Sequence, residues 1–425
     1  MKSLLRILVL LFTVSLTAQN TYLHCGKLID TKSGKVLTEK TVVVSGNKII
    51  FVENGYVNPE NSEDTVVDLK SKTVMPGLID MHVHIEGETS PTRYLETFTK
   101  NDADVAFNSV EIANRTLMAG FTTVRDLGGS GVNVALRDAI AKGKVSGPRI
   151  FTAEKAIATT GGHADPTNGT RKDLMGNPGP KEGVINSPED ARKAVRQRYK
   201  NGADLIKITA TGGVLSVAKN GQNAQFTQEE VNEIVKTAKE YGMVVAAHAH
   251  GKEGMKRAVI AGVQTIEHGS FMDKEVAVLM KQHNSYLVPT LSAGRYVEEK
   301  AKIPNYYPAV ILPKITSTME VLHKTIEMVI KEGVPIAFGT DAGVFPHGEN
   351  AKEFVYMVEA GWSPMFSLQS ATLTNAMLLD MENQLGQIKE GYLADIIAVD
   401  EDPTLAISTM VNVTFVMKNG AVYKQ

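Results

Sequence analysis

The sequence predicts an α/β protein, a (β/α)8 TIM barrel with a small β-sandwich domain built from both termini. Three observations carry that expectation. Between residues 76 and 385, short apolar strands alternate with helical stretches, the rhythm of parallel βαβ units. Eight strands can be counted there, at 77–84, 122–127, 148–153, 204–209, 244–248, 265–268, 286–290 and 335–340, the number a barrel of this kind needs. The remainder, 19–75 and 386–425, has a different texture: β-branched runs such as Thr41-Val42-Val43-Val44 and Ile396-Ile397-Ala398-Val399, broken by turn pairs such as Asn54-Gly55 and Asn419-Gly420. The two ends are therefore expected to meet.

Residues 1–18 stand apart. Lys2 and Arg6 precede an apolar run from Ile7 to Leu16 that ends in Thr17-Ala18, the pattern of a secretory signal peptide. The run falls short of the roughly 20 apolar residues of a membrane span, so no membrane anchor is expected. The mature chain would begin near Gln19 and be exported, in a bacterium to the periplasm. Cys25 follows His24 rather than a small apolar run, which argues against lipidation there. As the single cysteine it forms no intrachain disulfide, so stability must come from packing or metal.

Within the barrel region, helices are expected at 187–201, 228–241 and 312–331. Ser187-Pro188-Glu189 and Thr227-Gln228-Glu229-Glu230 read as N-terminal caps. An open doubly wound sheet would want a glycine-rich phosphate loop after its first strand. This first strand ends instead in His82-Val83-His84. Lys plus Arg total 45 and Asp plus Glu 47, a formal charge of −2, too balanced for a nucleic-acid binder or a polybasic membrane-surface protein. The expected partner is a small molecule or short peptide, with the chain in a homo-oligomer.

Barrel active sites lie at the C-terminal ends of the strands. Standing there are His82 and His84 (strand one), His248 (strand five), His268 (strand six) and Asp341 (after strand eight), with Lys207 on strand four. Any one alone would read as an ordinary hydrogen-bonded or surface residue. Together they form a constellation. Residues i and i+2 of a strand share a face, so His82 and His84 can hold one cation, and imidazoles with a carboxylate suit Zn²⁺ or a similar ion.

With V-M-P-G-L-I-D-M-H-V-H at Val74 to His84, T-T-V-R-D-L-G-G at Thr122 to Gly129, T-T-G-G-H-A-D at Thr159 to Asp165, I-K-I-T-A-T-G-G-V at Ile206 to Val214, V-A-A-H-A-H-G at Val245 to Gly251, I-E-H-G-S at Ile266 to Ser270, G-T-D-A-G at Gly339 to Gly343 and G-Y-L-A-D-I-I at Gly391 to Ile397, the chain resembles the amidohydrolase superfamily. Within it, the resemblance is to the imidazolonepropionase-related, prolidase-like branch of dipeptidases and carboxypeptidases. It spans essentially the whole mature chain, and the ordered set of motifs is highly specific.

The resemblance implies a binuclear metal site. His82, His84 and Asp341 would hold one ion, His248 and His268 the other, both most simply zinc. A CO₂-derived carbamate on Lys207 would bridge them, since a protonated amine is a poor ligand. Asp341 would also carry a proton from the attacking water, bridged between the ions, to the departing amine. His250 matches the second histidine of H-A-H and is assigned to the substrate side.

A dipeptidase or carboxypeptidase must also recognise a free carboxylate. His163, flanked by glycines that let backbone approach a ligand, His250 and Arg125 are the candidates, Arg125 reading equally well as the partner of a buried barrel carboxylate. Gly212-Gly213 suggest a second close approach, and His347 could line the mouth. Tyr306-Tyr307 read as a lip or a helix-entry loop, and His24, His283 and His323 as surface or packing residues. The leading function is hydrolysis of a peptide bond. The alternative is another amide or ester, such as a cyclic amide, an N-acyl amino acid, a lactone or a phosphotriester. Deaminases of this superfamily typically lack the bridging lysine, and a non-catalytic scaffold would be expected to lose ligands.

Overall fold

The computed structural model describes residues 19–217 and 220–425; the expected signal peptide lies outside them. The chain opens with four strands, β1 (Asn20–Asp30), β2 (Lys35–Ser45), β3 (Lys48–Asn54) and β4 (Thr65–Pro76). β1 pairs antiparallel with β2 and parallel with β4, and β2 pairs antiparallel with β3.

β4 leads directly into β5 (Leu78–Val83), followed by α1 (Arg93–Thr99), α2 (Asp102–Met118), β6 (Phe121–Asp126), α3 (Val132–Ala141) and β7 (Arg149–Thr152). An unexpected short pair, β8 (Ala158–Thr159) and β9 (Val184–Ile185), interrupts the long connection to α4 (Pro188–Asn201). Then come β10 (Ile206–Thr209), α5 (Gln228–Glu240), β11 (Val245–Ala249), α6 (Lys252–Ala261), β12 (Thr265–His268), α7 (Lys274–Gln282), β13 (Tyr286–Val288), α8 (Leu291–Ala301), α9 (Leu312–Glu332) and α10 (Lys352–Ala360). The caps read from sequence are formed: Ser187 accepts from the Asp190 amide with Pro188 in the first turn, and Thr227 and Glu230 make a reciprocal capping box.

β5, β6 and β7 form one parallel sheet and β10 to β13 another. Backbone bonds link the two on both sides. The Asp204 amide donates to Thr152 O at 2.8 Å, joining β7 to the approach of β10. The expected eighth strand, 335–340, is not a regular strand. It is an extended segment bridged to β13 at Leu287–Ile336, while Met81 N donates to Phe338 O and Asp341 N to His82 O, tying it to β5. Pro335 lacks a donor, and Asp341 turns out of extended geometry at φ 61°, which breaks the ladder without losing the segment's place.

β14 (Ile396–Val399), β15 (Phe415–Lys418) and β16 (Ala421–Lys424) return to the N-terminal strands. The expected sandwich is corrected here to one seven-stranded sheet, ordered β16-β15-β14-β4-β1-β2-β3. β4 takes β1 on one edge and β14 on the other, so the termini meet by hydrogen bonding as well as through a shared apolar core. The far edge, β3, is also bridged through Lys48 to Leu393, just before β14. Leu23, Val42, Ile49, Ile396 and Phe415 form its buried core. Cys25 is buried within β1, and that burial pushes its thiol up to about 12. Among the described residues, no helix is long and apolar enough to cross a membrane.

Candidate metal centre

The C-terminal ends of β5, β10, β11 and β12 and the residues after 340 converge on a cavity of about 680 Å³, lined by His82, His84, His163, Lys207, His248, His250, His268 and Asp341. Two triads of ligand atoms lie within 4.8 Å of one another, His82 with His268 and Asp341, and His248 with His250 and His268. The structure therefore gives His250 the same ligand-distance position as His248. His84 sits beside the first triad, its Nε2 3.3 Å from Asp341 Oδ1.

The ring nitrogens turned away from the cavity have partners that fix the tautomer. His82 Nδ1–H donates to Glu267 Oε2 at 2.9 Å, His84 Nδ1–H to Gly128 O at 2.9 Å, and His248 Nε2–H to Gly212 O at 3.0 Å. A carboxylate and two carbonyls can only accept, so the opposite nitrogen of each neutral ring presents a lone pair. His268 Nδ1 and His250 Nδ1 are held by the hydroxyls of Thr290 (2.7 Å) and Ser270 (2.9 Å). Burial and nearby positive charge keep the imidazoles unprotonated: His82 and His250 fall to about 4, and His248 and His268 lie well below their ordinary value. His84 is the exception, because Asp341 outweighs its burial and raises it.

Asp341 Oδ1 is the telling atom. It lies 3.3 Å from Nε2 of both His82 and His84, yet it is buried with no hydrogen-bond partner among the described residues. A buried acceptor facing two imidazole nitrogens, in rings whose other nitrogens are already engaged by Glu267 and Gly128, is what a cation would satisfy. This donor set of imidazoles and a carboxylate fits a divalent ion. Backbone strain gathers at the same place: His268 (φ 74°), Thr290 (φ 50°) and Asp341 (φ 61°) are left-handed, a cost of order 1–3 kcal/mol each that persists where surrounding structure over-determines it.

Lys207 reaches into the cavity from β10 and is buried; that burial lowers its amine to about 8. His163 lies tilted against His248, ring centroids 4.4 Å apart, and its Nδ1 has no hydrogen-bond partner among the described residues. The glycines around it serve the turn rather than a ligand. Gly161 is left-handed, and a Cβ on Gly162 would meet Thr159 O at 2.8 Å. The close approach belongs to Gly213, where a Cβ would stand 2.1 Å from the His163 ring.

Two expectations are corrected. Arg125 does not line the cavity. Its side chain is buried inside the barrel, with Nη2 2.9 Å from Glu267 Oε1 and Nε donating to Met81 O at 2.7 Å. His347 is buried behind the site, its Nε2–H donating to His84 O at 3.1 Å. His24 is packed against Val57 O, while His283 and His323 are exposed. Tyr306 and Tyr307 do line the cavity.

Sequence reasoning missed Glu267, the acceptor that orients His82. Its signal was a glutamate two residues after Thr265 on a strand whose both faces are buried. An acid there needs a cation, and Arg125 supplies it.

The profile of the amidohydrolase family matches residues 73–423. The chain belongs to the amidohydrolase family. The crystal structure of a Xaa-Pro dipeptidase with bound methionine in the active site aligns with a TM-score of 0.93 and 51% identity, over 96% of this chain and 100% of that one. A prolidase complexed with N-methylphosphonate-L-proline aligns at a TM-score of 0.86 and 32% identity, again over 96% and 100%. Ochratoxinase of Aspergillus niger is 33% identical over 96% of this chain and 87% of its own length. These likenesses identify an α/β TIM-barrel enzyme of the prolidase-like branch, a metal-dependent hydrolase acting on amide bonds.

Proposed function

We propose that this amidohydrolase cleaves the peptide bond of a dipeptide, or the last bond of a short peptide, with two divalent ions, zinc in the simplest case. His82, His84 and Asp341 would hold one ion, and His248 and His268 the other. A carbamate on Lys207 would bridge them, formed when the neutral amine adds CO₂ and releases a proton. The observation that carries this reading is the unpartnered Asp341 Oδ1 facing two imidazole nitrogens. Lys207 supports it, because an amine lowered to about 8 is partly neutral near pH 7.

When bound, the ions supply charge that polarises the scissile carbonyl and makes a water nucleophilic at neutral pH. Asp341 takes the proton from the attacking water and hands it to the departing amine nitrogen. His163 is held neutral, pushed down to about 3 by burial and neighbouring positive charge, so it meets a substrate carboxylate as a hydrogen-bond donor rather than a cation. His250 faces the same space. The methionine in the active site of the Xaa-Pro dipeptidase supports the reading, since a free amino acid is what such cleavage releases. The cavity volume also suits a larger ligand, so an N-acyl amino acid is the second reading, favoured by the likeness to ochratoxinase.

Elemental analysis of protein prepared with zinc and bicarbonate should find two ions per chain, and Lys207→Ala should lose metal and activity together. Asp341→Asn should keep the fold and lower turnover about 10²–10⁴-fold; a variant keeping a tenth of the rate would refute the proton carrier. A dipeptide should exceed its C-terminal amide in kcat/KM by roughly ten- to a hundredfold, the 1.5–3 kcal/mol of a charge-assisted hydrogen bond, and His163→Ala should shrink that gap. The proposal includes export with cleavage after Ala18 and assembly into a homo-oligomer, to be checked by mass spectrometry of the native protein and by sedimentation.

A further inference from the structure

One wall of the cavity carries chemistry that the proposed reaction does not use. Val297 on α8 and Ile315 on α9 belong to a buried apolar cluster separate from the main barrel core, with Val214, Leu215 and Met319 packed against it. All five also face the cavity. Apolar surface turned toward an open cavity is stabilised when a ligand covers it.

The wall is continuous with the carboxylate end of the site. Lys314 Nζ donates to Gly213 O at 3.0 Å and to Ser216 O, pinning the 213–216 loop to α9. Gly213 lies against the His163 ring. From His163 the surface therefore runs over Gly213 to Val214 and Leu215, then to Ile315. Charge is distributed one-sidedly. Among the described residues lining the cavity, Asp341 is the only carboxylate, and it faces His82 and His84. A cationic side chain laid against this wall would be desolvated with no counter-ion, which is strongly unfavourable.

Resting on the reading above, we propose that this wall is the pocket for the side chain of the residue bearing the free carboxylate, and that it accepts uncharged apolar chains and rejects lysine and arginine. Gly294 on α8 sets its depth. It lines the cavity, and a Cβ there would make ordinary contacts, 3.4 Å from Leu322 Cδ2 and 3.7 Å from Met319 Sδ. A larger residue would fill the pocket without forcing the helix.

The test uses the metal-loaded full chain and dipeptides with one constant first residue and Ala, Met, Leu, Phe, Lys or Arg second. Met, Leu and Phe should exceed Lys and Arg in kcat/KM by roughly a hundredfold. Gly294→Val should move the Ala-to-Phe ratio toward Ala by about tenfold. Met319→Glu, on a half-buried position that tolerates charge better than Ile315, should move the Arg-to-Met ratio toward Arg. Calorimetric binding of N-acetyl-leucine and N-acetyl-arginine gives a readout independent of turnover, with leucine preferred. Lys and Arg cleaved as fast as Met, Gly294→Val depressing all substrates equally, or the two N-acetyl amino acids binding alike would each overturn the pocket while leaving peptide hydrolysis standing. Absence of hydrolysis of every dipeptide, with N-acetyl-leucine still preferred in binding, would overturn the peptidase reading and leave the pocket.

Discussion

Glu267 and Glu353 are both fully buried in the same barrel, and they end in opposite states. Glu267 lies beneath the site on β12, where burial alone would raise its pKa. Arg125, with His82 and Lys207, outweighs burial and holds the carboxyl down to about 2. Glu353 lies on α10 and accepts the amides of Leu291 (2.8 Å) and Ser292 (2.7 Å), the first residues of α8. Those two donors do not offset burial, and its pKa rises to about 8. Backbone dipoles can hold a buried carboxyl in place, but here it takes a neighbouring full charge to keep it ionised. The ionised acid is the one that orients His82. The neighbourhood of Glu353 shows why it is needed at all. Thr290, at the start of α8, makes no side-chain cap because its hydroxyl serves His268, so the free amides of the helix find their acceptor on another helix.

The largest expected effect tests the Glu267 half of this contrast. Glu267→Gln should destabilise the fold by about 3–5 kcal/mol, because it strands the Arg125 charge. It should also loosen metal by about 10–100-fold through the misoriented His82. Urea midpoints and metal titration read the two effects, and a variant that binds metal like the wild type would end the orienting role.

A pH series sharpens the contrast by sign. Glu353 binds its proton more tightly folded than unfolded, so its contribution to stability should be full below its ordinary 4.5 and decline as pH rises toward about 8. The slope is at most about 1.4 kcal/mol per pH unit. Glu267 should do the reverse, contributing fully above 4.5 and losing its contribution as pH falls toward about 2. Glu353→Gln should flatten the decline on the alkaline side of 4.5, and a slope identical to wild type would place that decline elsewhere.

The smallest effect separates the site from its scaffold. Thr290→Val keeps the shape but removes the hydroxyl on His268, so metal release should quicken while stability falls by only about 0.5–1.5 kcal/mol. A much larger loss of stability would mean that Glu353 does not carry the N-terminus of α8.

Some of this was legible in the sequence because it rests on local periodicity. The βαβ rhythm, the caps at Ser187 and Thr227, and the i, i+2 pairing of His82 with His84 are readable from a few neighbouring residues. Other features were not. The 335–340 segment has strand composition but lacks a regular ladder, because Pro335 and the left-handed Asp341 interrupt it. His250 reads as a companion of His248, while its distance from His268 is a matter of how β11 and β12 lie side by side.

By itself, then, the sequence determined the α/β class with its βαβ rhythm, the strand ends at which histidines stand and, through its resemblance to the amidohydrolase superfamily, the class of a metal-dependent amide hydrolase. Each is encoded in spacing along the chain or in short motifs. Tertiary structure alone decided that Arg125 is spent on Glu267 rather than on substrate, that the termini share one sheet, and that α8 and α9 turn an apolar wall to the cavity. The reason is distance in sequence. Arg125 and Glu267 are 142 residues apart, and His82 and Glu267 are 185 apart. Only the folded packing of strands chooses which buried charge meets which.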